Sequence, residues 1–85
     1  MKVFLHTRDP EEPEGINNFY EFARIPAVGE YVAISSDSPW FKVVLVVHTP
    51  FPCDCEAEVY AVKEDHNEVM EASGYKGIGW LKSQN

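Results

Sequence analysis

The stretch "WFKVVLVVHT", residues 40–49, is bounded by Pro39 on one side and by Pro50 and Pro52 on the other. A run this apolar and this rich in β-branched residues favours an extended strand, and neither flanking proline can donate a ladder hydrogen bond. The near-continuous "VVLVV" predicts that both faces of the strand are covered over part of its length, as in a central strand or one bending across a small barrel. The other elements must supply that cover.

Eighty-five residues, 45% of them hydrophobic, suffice for one small core. A chain of this size buries roughly 60–65% of its unfolded surface and cannot feed two cores. Residues 2–7 alternate with period two, Val3 and Leu5 on one face and Phe4 and His6 on the other, and predict a first strand. "RDPEEPEGINN", residues 8–18, combines two prolines, four acids and a glycine, and predicts a solvated connection into a second strand at 19–25. In "IPAVGEYVAI", Pro26 fixes φ and Gly29 can take positive φ, so a turn over 26–29 precedes a third strand at 30–35. "SSDSP" turns the chain into the strand at 40–49. "TPFPCDC" then forms a loop into a fifth strand at 56–63, with Ala57, Val59 and Ala61 on one side and Glu56, Glu58, Tyr60 and Val62 on the other.

Asp65 followed by Glu68 forms a capping-box pattern and Gly74 can stop a helix, which predicts a short helix over 66–73. The rival is a hairpin turning at 64–67 with a sixth strand at 68–72. "GYKGIGWLKSQN" carries Tyr75, Ile78 and Trp80 and is expected to lie as an irregular tail against the barrel. The single domain then divides into a barrel, residues 1–65, and an extension packed on it, residues 66–85.

"IPAVGEYV", "WFKVVLVVH" and "AEVYAV" together resemble a group of small uncharacterised bacterial and phage proteins with the pattern (L/I)PxVG(D/E)xV … V(V/T)xVVH … AEVYV. The resemblance spans roughly residues 24–62 and the first strand. It implies an SH3-like, five-stranded antiparallel β-barrel and carries no activity, since its motifs are turn and core residues. The acidic 8–18 segment, the "PFPCDC" loop and the chain after Lys63 depart from it, and any function particular to this protein is expected there.

"HTPFPCDC" raises the one question of metal or redox chemistry. Cys53 and Cys55 point to opposite faces if extended, and a zinc site needs a second closely spaced ligand pair, which is missing. His48 could join them only by bending back over "TPFP", with Asp54, Asp65 or His66 as a fourth ligand. The expectation is a reduced, metal-free loop between strands with one small cysteine buried, and His48, Cys53 and Cys55 are kept as the alternative metal or thiol set. A cluster of His6, His48 and His66 is a further arrangement the sequence leaves open. Ser35, Ser36 and Ser38 lack a nucleophile context, "GYKGIG" lacks the strand and helix that make a phosphate loop, and no cofactor is implied.

Fourteen acids against seven Lys and Arg give a net charge of −7, which opposes binding to nucleic acid. Asp54, Glu56, Glu58, Glu64, Asp65, Glu68 and Glu71 crowd one stretch with only Lys63 among them, so a basic protein surface is the better electrostatic match. No window is long and apolar enough to span a membrane, and two cysteines without an export signal point to a reducing cytoplasm. Trp40, Phe41, Phe51, Tyr60, Tyr75 and Trp80 exceed what one small core needs. The resulting expectation is a non-enzymatic interaction module that binds a protein partner, or itself, through Trp40, Phe51, Tyr60 and an exposed strand edge. Acidic mimicry of nucleic acid at a basic enzyme site is a weaker alternative.

Overall fold

The computed structural model describes residues 1–74, and the expectations for Tyr75, Ile78 and Trp80 lie outside the described residues. The described residues are mainly β, with one five-stranded mixed sheet curled into a half-barrel and one short helix. The strands are β1 (Lys2–Asp9), β2 (Glu12–Glu21), β3 (Tyr31–Val32), β4 (Trp40–His48) and β5 (Ala57–Glu64), followed by α1 (His66–Ala72). Their order across the sheet is β2-β1-β5-β4-β3.

β1 and β5 form the centre, and their period-two patterns divide them as the sequence predicts. Val3, Leu5, Ala57, Val59 and Ala61 are buried together with Val43, Phe41 and Val32, while Phe4, His6, Glu58 and Tyr60 take the opposite face. Tyr20, Phe22, Ile25, Ile34 and Val46 pack against this core from the curled margins. The two central strands run parallel, Val3 opposite Ala57 through Arg8 opposite Val62, which corrects the antiparallel sheet expected throughout. Parallel pairing follows from the path of the chain, because the segment between β1 and β5 crosses from one side of the pair to the other.

The second correction concerns the acidic segment. Residues 12–18, expected as a solvated connection, are the first part of β2, and Pro10 and Glu11 form the tight turn of a β1–β2 hairpin. The expected strand at 19–25 keeps only its first residues. Proline and acids are tolerated here because β2 is an edge strand, with one side of its backbone facing solvent. The third strand shrinks from 30–35 to Tyr31–Val32.

Gly29, at φ 94°, makes the turn, and the Glu30 N–H donates to the Ala27 carbonyl at 3.0 Å. Arg24 clamps this loop by reaching both carboxylate oxygens of Glu30, and Glu30 Oε1 also accepts the Ala27 N–H at 2.6 Å. The loop is stapled to β4 by Gly29 N–H to the Val43 carbonyl (2.9 Å) and Val43 N–H to the Glu30 carbonyl (2.8 Å). α1 starts as the sequence predicts: Asp65 is the N-cap and accepts the Asn67 N–H at 2.8 Å, and Gly74 at φ 93° follows the last turn. The hairpin alternative for this region is thereby excluded. None of the residues of α1 is buried.

Candidate interaction face

The face of the sheet opposite the core carries a row of rings that crosses three strands. Phe19 on β2 stacks on Phe4 on β1, with centroids 4.6 Å apart. Phe4 meets His6 edge-on at 4.5 Å, and His6 stacks on Tyr60 of β5 at 4.4 Å with an interplanar angle of 10°. The registers force these meetings, since Phe4 lies opposite Phe19 and His6 lies opposite both Asn17 and Tyr60. Lys2 Nζ lies 4.9 Å from the Phe19 ring centroid, a cation over a π face. Both nitrogens of His6 are held, Nδ1 by Asn17 Oδ1 at 2.5 Å and Nε2 by Glu58 Oε1 at 3.1 Å.

Tyr60 lies opposite Leu45, which extends the row onto β4. There a β-bulge intervenes: Val43 faces Ala61 and Leu45 faces Tyr60, so Val44 has no opposite number. The extra residue reverses the alternation of β4, as bulges do. Phe41 and Val43 are buried before it, and Leu45 and Val47 turn outward after it. Val44, Leu45 and Val47 are 49%, 51% and 40% exposed, so the two-faced cover expected over part of the strand is limited to Trp40–Val43. Apolar composition states what a strand would gain by burial, but the second layer needed to provide it is missing among the described residues. His6, Arg8, Gly15, Leu45, Tyr60 and Val62 border a shallow groove of about 450 Å³ beside this row.

Of the three residues expected to bind a partner, only Tyr60 belongs to the row. Trp40 is at the opposite end of β4, half-buried between Tyr31 (6.2 Å) and His66 (5.5 Å), and Phe51 is exposed in the loop beyond β4. Phe4, His6, Phe19 and Leu45 join the row outside the expected partner-binding set. The alternation of Phe4 and His6 was the available signal, but their convergence with Phe19 and Tyr60 depends on two strand registers.

The cysteine loop curls around Thr49, whose hydroxyl donates to the Cys55 carbonyl at 2.9 Å and lies 4.0 Å from Cys55 Sγ. Cys53 Sγ lies 2.8 Å from the same Cys55 carbonyl and 4.0 Å from the Thr49 carbonyl. Hydrogen bonding to Thr49, then to the Cys55 backbone, holds the Cys53 thiol below its ordinary value against desolvation and, less, the charge of Asp54. Both cysteines are free thiols, Cys53 exposed and Cys55 half-buried, so neither is the buried small residue expected. His48 is exposed at the end of β4, His6 lies mid-sheet and His66 opens α1. Among the described residues, no group of three or more His, Cys, Asp and Glu side chains is placed to hold a metal ion.

The acidic run is dispersed. Glu56 accepts the Lys2 backbone N–H at 2.6 Å, Glu58 engages His6, and Asp65 caps α1. No helix among the described residues is long and apolar enough to cross a membrane. Comparison with protein-family models, with curated proteins and with solved structures gives no match to this chain.

Proposed function

We propose that the chain is a non-enzymatic interaction module that binds a protein partner, or a second copy of itself, through the outer face of its sheet. The observation that carries this reading is the row Phe19–Phe4–His6–Tyr60, continued by the exposed Leu45 and Val47. Exposed apolar surface of this continuity marks contact sites in small proteins. The ring faces are largely turned toward one another, so the row presents edges and aliphatic surface rather than open platforms for bases. That favours protein side chains over nucleic acid as the occupant. Kinship with the SH3-like small barrels is part of the proposal, supported by the "IPAVGEYV" turn and the strand motifs, while the parallel β1–β5 pair stands apart from the antiparallel barrel that the resemblance implies.

The test is capture from host extract on immobilised protein, competed with free wild-type chain and repeated with Phe19→Ser and Tyr60→Ala variants that retain the native circular dichroism. Retention that competes and is lost in both variants supports the reading. Strictly monomeric behaviour with no competable retention refutes it.

A second reading, a thiol-dependent or metal-dependent protein using His48, Cys53 and Cys55, is favoured by the gathering of both cysteines about Thr49. Stoichiometric metal in untagged protein, or loss of partner capture on mild alkylation, supports it. Neither effect being found removes it.

A further inference from the structure

We propose that the open edge of β4, residues 44–48, pairs antiparallel with the same edge of a second copy of this chain. The inference goes beyond the interaction-module reading, adding an edge-to-edge contact between copies that does not use the aromatic rings.

β3 pairs with β4 only at Lys42 and Phe41, and the adjoining loop reaches only to Val43. Beyond Val43, one side of β4 has no strand beside it among the described residues. Thr49 N–H donates to the Glu56 carbonyl at 3.2 Å, and antiparallel alternation from that bond turns the backbones of Val47 and Leu45 toward β5. The backbone donors and acceptors of Val46 and His48 therefore face the open side. The side chains along this edge include the exposed Val44, Leu45 and Val47.

The other sheet edges are blunted. β3 is only two residues long, and on β2 the Asn18 side chain accepts the Phe19 N–H at 2.9 Å while Pro13 supplies no N–H at all. Apart from the bulge at Val44, the β4 edge has no such device, and it has no charge between Val43 and Val47.

A second copy fits because the edge is self-complementary. A two-fold axis through Val46 sets Leu45 of one copy against Val47 of the other and Val46 against Val46, with no like charges opposed. A five-residue edge is smaller than a standard interface of ~800 Å² per partner, so the dimer is a weak one governed by mass action. Each copy carries a net charge of −7, so added salt screens their repulsion and strengthens the dimer.

The experiment is sedimentation velocity on the full chain over a ~100-fold concentration range at low and high salt. It is paired with amide exchange read at Val46 and His48. The expected result is a shift from monomer to dimer with concentration, enhanced by salt, with both amides gaining protection. Leu45→Lys and Val47→Lys, at exposed positions, should leave a folded monomer, whereas Ile16→Lys, at an exposed position on the opposite edge strand, should dimerise as the wild type does. A monomer at every concentration, a dimer that survives both lysine variants, or protection appearing on β2 instead would overturn the proposal. Protection of Val46 and His48 only when a different protein is added would also overturn it, while leaving the interaction-module reading in place.

Discussion

His6 stacks on Tyr60 across the parallel β1–β5 pair, with ring centroids 4.4 Å apart and planes within 10° of each other. The contact joins the two central strands on the face away from the core, and it ties residues far apart in the chain. Aromatic pairs of this kind contribute about 0.5–1.5 kcal/mol beyond the area they bury. A double-mutant cycle with His6→Ala and Tyr60→Ala, followed by urea unfolding, should return a coupling energy in that range. Tyr60→Phe should retain most of it, since the ring and not the hydroxyl makes the contact.

Gly15 faces the backbone of β1 so closely that a Cβ there would lie 2.3 Å from the Thr7 carbonyl oxygen. Gly15→Ala must therefore push β2 away from β1, and the expected loss is about 1–3 kcal/mol. Gly29→Ala has open space but must hold φ near 94°, and should cost about 1 kcal/mol. Chemical unfolding of the two variants should rank them in that order.

Acid should loosen the turn that docks on β4. The Arg24 side chain, helped by the Ala27 N–H, pulls the Glu30 carboxyl from its ordinary 4.5 down to about 2. A carboxyl depressed in the folded state contributes stability that is complete above its unfolded value and is lost as pH falls through the folded one. The contribution of Glu30 is thus intact above about 4.5 and fades between there and about 2. Asp9, also held low by the Glu11 N–H and by Lys63, acts in the same direction. Melting temperature followed down this window should fall less steeply in Glu30→Gln than in the wild type.

Cys53 should alkylate faster than Cys55 near neutral pH, because it is exposed and its thiol is held low by Thr49 and the Cys55 backbone. Mass spectrometry of the protein after brief iodoacetamide treatment should find Cys53 modified first. Cys53→Ser should leave thermal unfolding unchanged, since no buried volume is lost.

Much of this fold can be read from local pattern. β1 and β5 declare themselves by strict alternation, β4 by its apolar run, and α1 by the Asp65 cap and Gly74. β2 is hidden because its pairing energy comes from β1, while its own residues 12–18 carry the proline, acids and asparagines of a loop. The parallel β1–β5 pair is invisible for a related reason: nothing in either strand encodes the direction of a neighbour so distant in sequence. The interaction face lies between these cases. Phe4 and His6 share a face by alternation alone, but Phe19, Tyr60 and Leu45 join them only through registers and a bulge at Val44 that no local propensity specifies.

The central pairing also sets the order in which the chain can assemble. Val3 finds Ala57 across 54 positions of sequence, whereas the β1–β2 and β4–β5 hairpins close over short spans. During synthesis the first hairpin can form while Val3 and Leu5 still have no strand on their other side, and β4 emerges with its valines uncovered before β5 follows. Closure of so long a loop is entropically slow, so folding should be limited by the arrival and docking of residues 57–64. A nascent chain halted before that segment would hold two apolar strands without their shared centre, which makes this interval the natural point for a ribosome-associated chaperone to act.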